Sequence, residues 1–307
     1  MKQFAKGFSL LFFLLLIVTP SVYAATIVKD LTYNKHTLPD TYKYGKIDRE
    51  FQWTKIGKIL DSLERFQREN YTFGVLTNYK NQKGLPPLAK DVVINKFNAY
   101  QDTFGIERSQ GIPLYTGDNF AVPVRYARDG SLVSLLSSGD AYSRVDIFDP
   151  EGIWNVPRKY IHLIGPVIFK KVVVVDRKNQ NIATLELVDT TWVVRSMNPA
   201  TTGLYRPPFK KATPLGLFVV QAKLQKMPYY EDGSEEIGGY APYASRFSGG
   251  GYLHGVPVNL PATGMIEYSP TLGTTPRSHM CVRNATSHAE FLYNWAPVDY
   301  ALVAVIE

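Results

Sequence analysis

Nucleophilic chemistry in this chain centres on the stretch "SHMCVRN", residues 278 to 284. It holds Cys281, the only cysteine among 307 residues, with Ser278, His279 and Met280 before it and Arg283 and Asn284 close behind. A thiol without a partner in its own chain is either a small buried hydrophobe or a reactive group. The polar neighbours favour the second reading, because cationic donors beside a thiol favour its thiolate. Thiol attack on a carbonyl needs a base to take the proton, a group to orient that base and backbone donors for the oxyanion. Of the five histidines, His36 and His162 fall outside the segment that carries the cysteine, which leaves His254, His279 and His288. His279 and Cys281 project to one side of an extended chain, but side chains two apart rarely meet in the geometry of proton transfer. His254 ends the strand-like run "GGGYLHG" and can face Cys281 from a neighbouring strand. His288 opens the last helical run and reads as a cap or surface residue.

The elements that must position these groups are mostly strands. From residue 163 to the end, "KKVVVVDRKNQNIATLEL" reads as a strand, a polar turn and a second strand, and "TWVVRSMN" continues the pattern. A Pro- and Gly-rich loop then feeds "LGLFVVQAK", and "DYALVAVIE" closes the chain; helical periodicity is confined to "HAEFLYNWA", residues 288 to 296. In "GGYAPYASRFSGGGY", Tyr240, Tyr243, Arg246 and Phe247 between glycines suggest a mobile lid. Upstream, Ile56, Ile59, Leu60, Leu63 and Phe66 recur at spacings of three and four and place one apolar face on a helix. "QKGLPPLAKD" is a loop, and "VVINKFNAYQDTFG" is expected to supply a second short helix. Between residues 109 and 162, short strand-like runs alternate with the turns Asp129-Gly130 and Ser138-Gly139-Asp140. The order of Pro113, Leu114 and Tyr115, then Arg128 to Ser131, then Trp154 and "VPRKYI" resembles the bacterial Src-homology-3-like small barrels of cell-wall enzymes, which implies a barrel that binds wall polymer or positions its neighbour.

The first 24 residues describe an export signal. Lys2 and Lys6 precede an apolar run from Phe8 to Val18, followed by Pro20 and the small-residue end at Ala24. The run is too short to span a bilayer, and no later stretch suits a transmembrane segment. The expected place is the periplasm or cell envelope. The formal charge of +7 falls to +5 without Lys2 and Lys6, with no polybasic run, so nucleic acid is not an expected partner. An anionic envelope polymer suits the mild excess.

Taken together, "ATPLG" at 212 to 216, "YLHG" at 252 to 255, "SPTLGTTPRSHMCVRN" at 269 to 284 and "EFLYNWAPVDYALVAVI" at 290 to 306 resemble the L,D-transpeptidase catalytic domain of bacterial cell walls. The resemblance covers about 140 residues and implies a mainly β fold with a sandwich-type catalytic domain. It implies Cys281 as nucleophile, His254 as general base, the Gly255 carbonyl as the group orienting that base, and His279 as a second histidine of the site. It also implies oxyanion stabilisation by the amides of Met280 and Cys281, and substrate support from Ser278, Arg283 and Asn284. No cofactor or metal is implied. The partners would be peptidoglycan stem peptides, with another stem, an envelope lipoprotein or water resolving the thioester; trimming of tetrapeptides or inert wall binding are the alternatives. Two positions depart from the family pattern. Met280 replaces a glycine, and 23 residues separate His254 from Ser278, a lengthened loop. Rival thiol enzymes fit worse: a papain-like fold places its cysteine before its histidine, and the sortase run Thr-Leu-x-Thr-Cys is absent.

Overall fold

Val172, Val173, Val174 and Val175 are all buried, because their strand, Lys171–Asp176, lies inside a sheet covered on both faces. The computed structural model describes residues 25–307; the expected signal peptide falls outside them. Six strands form this sheet in the order Ile27–Lys29, Thr191–Pro199, Asn181–Val188, Lys171–Asp176, Ala301–Ile306 and Gly216–Val219. Successive side chains on a strand point to opposite faces. Val172 and Val174 accordingly enter one core with Leu185, Trp192 and Leu302, while Val173 and Val175 enter a second with Val303, Leu253 and Val282. A run of β-branched residues without polar alternation is what two-sided burial demands.

Helix α1, Trp53–Glu69, covers the first core. Its Ile56, Leu60, Leu63 and Phe66 are buried, and each side chain of this size contributes roughly 1.5–3 kcal/mol on burial. Glu64 accepts a hydrogen bond from the indole of the buried Trp192 at 2.7 Å. Helix α2, Thr286–Trp295, lies over the second core, with Leu292 and Ala289 fully buried. Against the same core rests a second sheet in the order Ala222–Tyr230, Ile237–Ser248, Gly251–His254 and Val282–Arg283. The molecule is mainly β with two α-helices among the described residues, as the residue pattern indicates.

Three expectations are corrected. The stretch from Val92 to Gly105 is a hairpin, Val92–Ile94 with Tyr100–Asp102, rather than a helix. Val-Val-Ile favours extended backbone, and the Asn95 side chain accepts from the amides of Phe97 and Ala99 to close the turn. The proposed lid is continuous strand, Ile237–Ser248. Its Phe247 is core and its Arg246 is buried against Asp129, while Tyr240 donates to the Thr263 carbonyl at 2.7 Å. Small residues between aromatics here serve two-sided packing. The third correction concerns the small β-module. Its five-stranded sheet runs Gly152–Pro157, Tyr142–Ile147, Leu132–Ser138, Phe73–Leu76 and Ile161–Gly165, so it takes a central strand from the region expected to precede residue 109. Phe73 and Val75 join the core under α1, whereas Leu76 joins Ile112, Val133 and Val145.

Candidate active site

Two short parallel strands set the geometry. Leu253 lies beside Val282 and His254 beside Arg283, and one more step of the same register puts Tyr252 beside Cys281. Residues two apart share a face. Leu253 and Val282 point into the core, so Tyr252, His254, Cys281 and Arg283 turn the other way and line one cavity of about 950 Å³. That volume suits a ligand of peptide size.

His254 is buried, and its Nδ1 stands 2.6 Å from the Gly255 carbonyl. A carbonyl only accepts, so Nδ1 carries the proton and Nε2 keeps its lone pair. Burial holds the His254 pKa down to about 4; the Gly255 carbonyl opposes this and Arg283 adds to it. Only glycine fits at 255, since a Cβ there would meet Pro242 Cγ and Thr286 Oγ1, each at 2.8 Å. Cys281 is half-buried, and its thiol donates to the Gly250 carbonyl at 3.4 Å. Burial pushes the Cys281 thiol up to about 11, against the Tyr252 backbone amide and Arg283, which favour the thiolate. The expectation that cationic neighbours would prevail is thus reversed. At neutral pH these shifts leave Cys281 as thiol and His254 as neutral imidazole.

The surrounding groups divide by strand parity. Arg283 faces the cavity, burial lowers its pKa, and its Nε has no hydrogen-bond partner among the described residues. Asn284 faces inward and is fully buried, behind the strand of His254. Its backbone amide donates to the His254 carbonyl at 2.9 Å, and its Oδ1 stands 3.3 Å from Nδ1 of His288. His288 is fully buried rather than a surface cap, with Nε2 3.0 Å from Ser196 Oγ. Ser278 lines the cavity while its hydroxyl donates to the Cys281 carbonyl, closing the turn on which the thiol sits. His279 lies at the exposed rim, 2.5 Å from Asp232 Oδ1 on the loop that joins the two longest strands of the second sheet. Residues 266 and 268 to 272, in the lengthened loop, supply another wall. Arg206, Lys210 and Lys211 do not line this cavity, and Lys211 pairs with Glu107.

Met280 departs from expectation in an informative way. Its side chain lines a separate cavity of about 230 Å³ instead of the cavity that holds Cys281. Its φ is +136°, a region that glycine enters freely and other residues do not. Neither its amide nor that of Cys281 donates to another group among the described residues, so both are free to meet an oxyanion. The backbone therefore keeps the shape glycine would give it, at a cost of about 1–3 kcal/mol. Met280→Gly is expected to keep thiol acylation and to raise stability by roughly 1 kcal/mol, or about 2–4 °C in melting temperature. A fall in melting temperature would mean that packing of the methionine outweighs the strain.

A buried imidazole and a thiol thus face one cavity, with the amides of Met280 and Cys281 unengaged at the thiol's own turn. Residues 170–305 match the family model described as the L,D-transpeptidase catalytic domain (YkuD), and this part of the chain is a domain of that family. No curated protein matches the chain. Among solved structures, an L,D-transpeptidase from Mycobacterium smegmatis is 19% identical over 57% of this chain and 82% of its own, with a TM-score of 0.37. One from Mycobacterium tuberculosis H37Rv is 21% identical over 64% and 76%, with a TM-score of 0.34. A fused Zn-dependent amidase/peptidase/peptidoglycan-binding domain-containing protein from Clostridium acetobutylicum ATCC 824 is 20% identical over 46% of this chain, with a TM-score of 0.33. The match spans about half the length of that protein, 53%.

Proposed function

We propose that this chain is an exported peptidoglycan L,D-transpeptidase with Cys281 as nucleophile. The observation that carries the reading is that His254 ends one strand and Cys281 immediately precedes its parallel neighbour, both facing one cavity, within the segment that matches the family. Sulfur attacks the carbonyl of the third residue of a tetrapeptide stem while His254 Nε2 takes the thiol proton. The amides of Met280 and Cys281 hold the oxyanion. Collapse of the tetrahedral intermediate breaks the peptide C–N bond, and the imidazolium returns its proton to the departing amine of D-alanine. An acceptor amine then attacks the thioester, loses a proton to His254 and releases the thiolate, which is reprotonated. A stem peptide or an envelope lipoprotein supplies the acceptor; water in that role makes the enzyme a carboxypeptidase. Arg283, a cavity guanidinium with an unpartnered Nε, suits a stem carboxylate. The site belongs in the periplasm or cell envelope, where the residue 1–24 signal would deliver it, and in the described residues no helix is long and apolar enough to cross a membrane.

Protein lacking residues 1–24 is expected to consume disaccharide tetrapeptide and leave pentapeptide intact, because a fifth residue enlarges the leaving group. Mass spectrometry of the products reads the acceptor. Dimers that have lost one D-alanine mean cross-linking, and tripeptide alone means hydrolysis. Consumption of pentapeptide with tetrapeptide untouched would refute the L,D reading.

A further inference from the structure

The cavity around Cys281 is not built by the family-matched segment alone. Tyr79 and Lys80, more than 150 positions before the catalytic strands and on the small β-module, also line it. Lys80 and Asn81 both have left-handed backbone, with φ of +52° and +56°. Asparagine enters this region readily, whereas for lysine it is strain that persists only where the surroundings impose it. Here they do. The Lys80 amide donates to Gln110 Oε1 at 2.9 Å, the Gln110 amide to Asn81 Oδ1 at 2.7 Å, and the Asn78 side chain to the Gly111 carbonyl at 2.9 Å.

The loop is also fastened to the catalytic strands. Asp129 is buried; its Oδ1 accepts from the Asn78 amide at 2.7 Å. Its Oδ2 accepts from Arg246 and from the Gly249 amide, each at 2.8 Å. Gly249 precedes the carbonyl that receives the Cys281 thiol. The neighbouring Gly130 has φ +91°, and a Cβ there would fall 1.9 Å from the Phe247 carbonyl, so the two units meet backbone to backbone. Between them the Tyr79 ring lies 4.5 Å from the Arg246 guanidinium, its hydroxyl 3.4 Å from that of Tyr252. Lys80 is exposed, with Nζ 5.4 Å from the same ring, and makes no ion pair among the described residues.

We propose that this strained loop is part of the substrate site: Tyr79 forms a wall of the cleft, and the Lys80 ammonium, held at its mouth, takes a carboxylate of the incoming stem peptide. The subsite rests on the function proposed above. It gives the β-module a role in selecting substrate as well as in seating the catalytic strands. A cation at an open rim contributes through binding and is weakened by salt.

The test is steady-state kinetics of full mature protein on a diaminopimelate tetrapeptide and on the same stem with its internal carboxylates amidated. Lys80→Ala is expected to raise KM for the carboxylate stem roughly fivefold with kcat within about twofold. Lys80→Glu should raise it further, and Lys80→Arg should restore most of the loss. On the amidated stem the variants and the wild type should share one KM, a distinction that a merely structural residue would not produce. Unchanged KM for the carboxylate stem in Lys80→Ala and Lys80→Glu, with a wild type that turns over, overturns the subsite and leaves the enzyme reading standing. A wild type inactive on the tetrapeptide overturns both.

Discussion

Cys281→Ala is expected to abolish turnover of tetrapeptide, by a factor on the order of 10⁴ or more. The chain holds no second thiol to substitute, and the Tyr252 phenol that shares the face is held protonated by burial. The fold should survive: the side chain is only half-buried, and its loss removes one thiol bond to the Gly250 carbonyl. Cys281→Ser keeps the shape but replaces the thiol with a hydroxyl that ionises far less readily, and should be nearly as inert. Product analysis by mass spectrometry, beside melting curves of both variants, separates lost chemistry from lost structure. Turnover by Cys281→Ala at more than a few per cent of wild type would remove the thiol from the mechanism.

The second large effect is at His254. Because the thiol rests protonated, with its pKa pushed up to about 11, attack requires that its proton move as the C–S bond forms. His254→Ala removes the acceptor and is expected to slow acylation by about 10²–10⁴, while His279→Ala, at the exposed rim and paired with Asp232, should cost much less. Comparable loss in both, or loss in His279→Ala alone, would reassign the base.

The pH profile carries the same assignment. The base works as neutral imidazole, and its pKa lies near 4 rather than near 6.5, so acylation should stay near its plateau from pH 7 down to about 5. An imidazole buried neutral gives stability that is complete above its unfolded pKa and is lost as pH falls through the folded one. His254 and His288, the latter held down to about 3 by burial, therefore both weaken the fold below about pH 6.5. Melting curves at each pH tell that loss from titration of the base. An acid limb centred near 6.5 with the melting temperature unchanged would show that His254 is not buried in the working enzyme.

Much of this fold is legible in local patterns because its signals are local. The spacing of Ile56, Leu60, Leu63 and Phe66 shows the buried face of α1, and the valine run shows a strand covered twice. The misread segments are those whose state depends on distant partners. Ile237–Ser248 has the small and aromatic residues of a flexible loop, yet it pairs with Ala222–Tyr230 on one side and with Gly251–His254 on the other. His288 looks solvent-facing at a helix start until Ser196, from the central sheet, meets its ring. At the site, the types and order of His254, Gly255, Ser278 and Cys281 are visible in the chain. Strand parity then decides what composition cannot: Arg283 faces the cavity and Asn284 faces inward behind the base. The parts supplied by remote chain, Asp232 against His279, the Asp129 anchor and Tyr79 in the cleft, leave no mark in local sequence. The positive φ of Met280 is foreshadowed only by the family glycine it replaces.

The most direct measurement of the central claim is mass spectrometry of the mature protein after exposure to a carbapenem, whose strained carbonyl acylates a competent nucleophile and leaves a stable adduct. The account predicts a single added mass, mapped to the peptide that contains Cys281, absent from Cys281→Ala and formed slowly by His254→Ala. A folded protein that remains unmodified, or an adduct on any other residue, would contradict it.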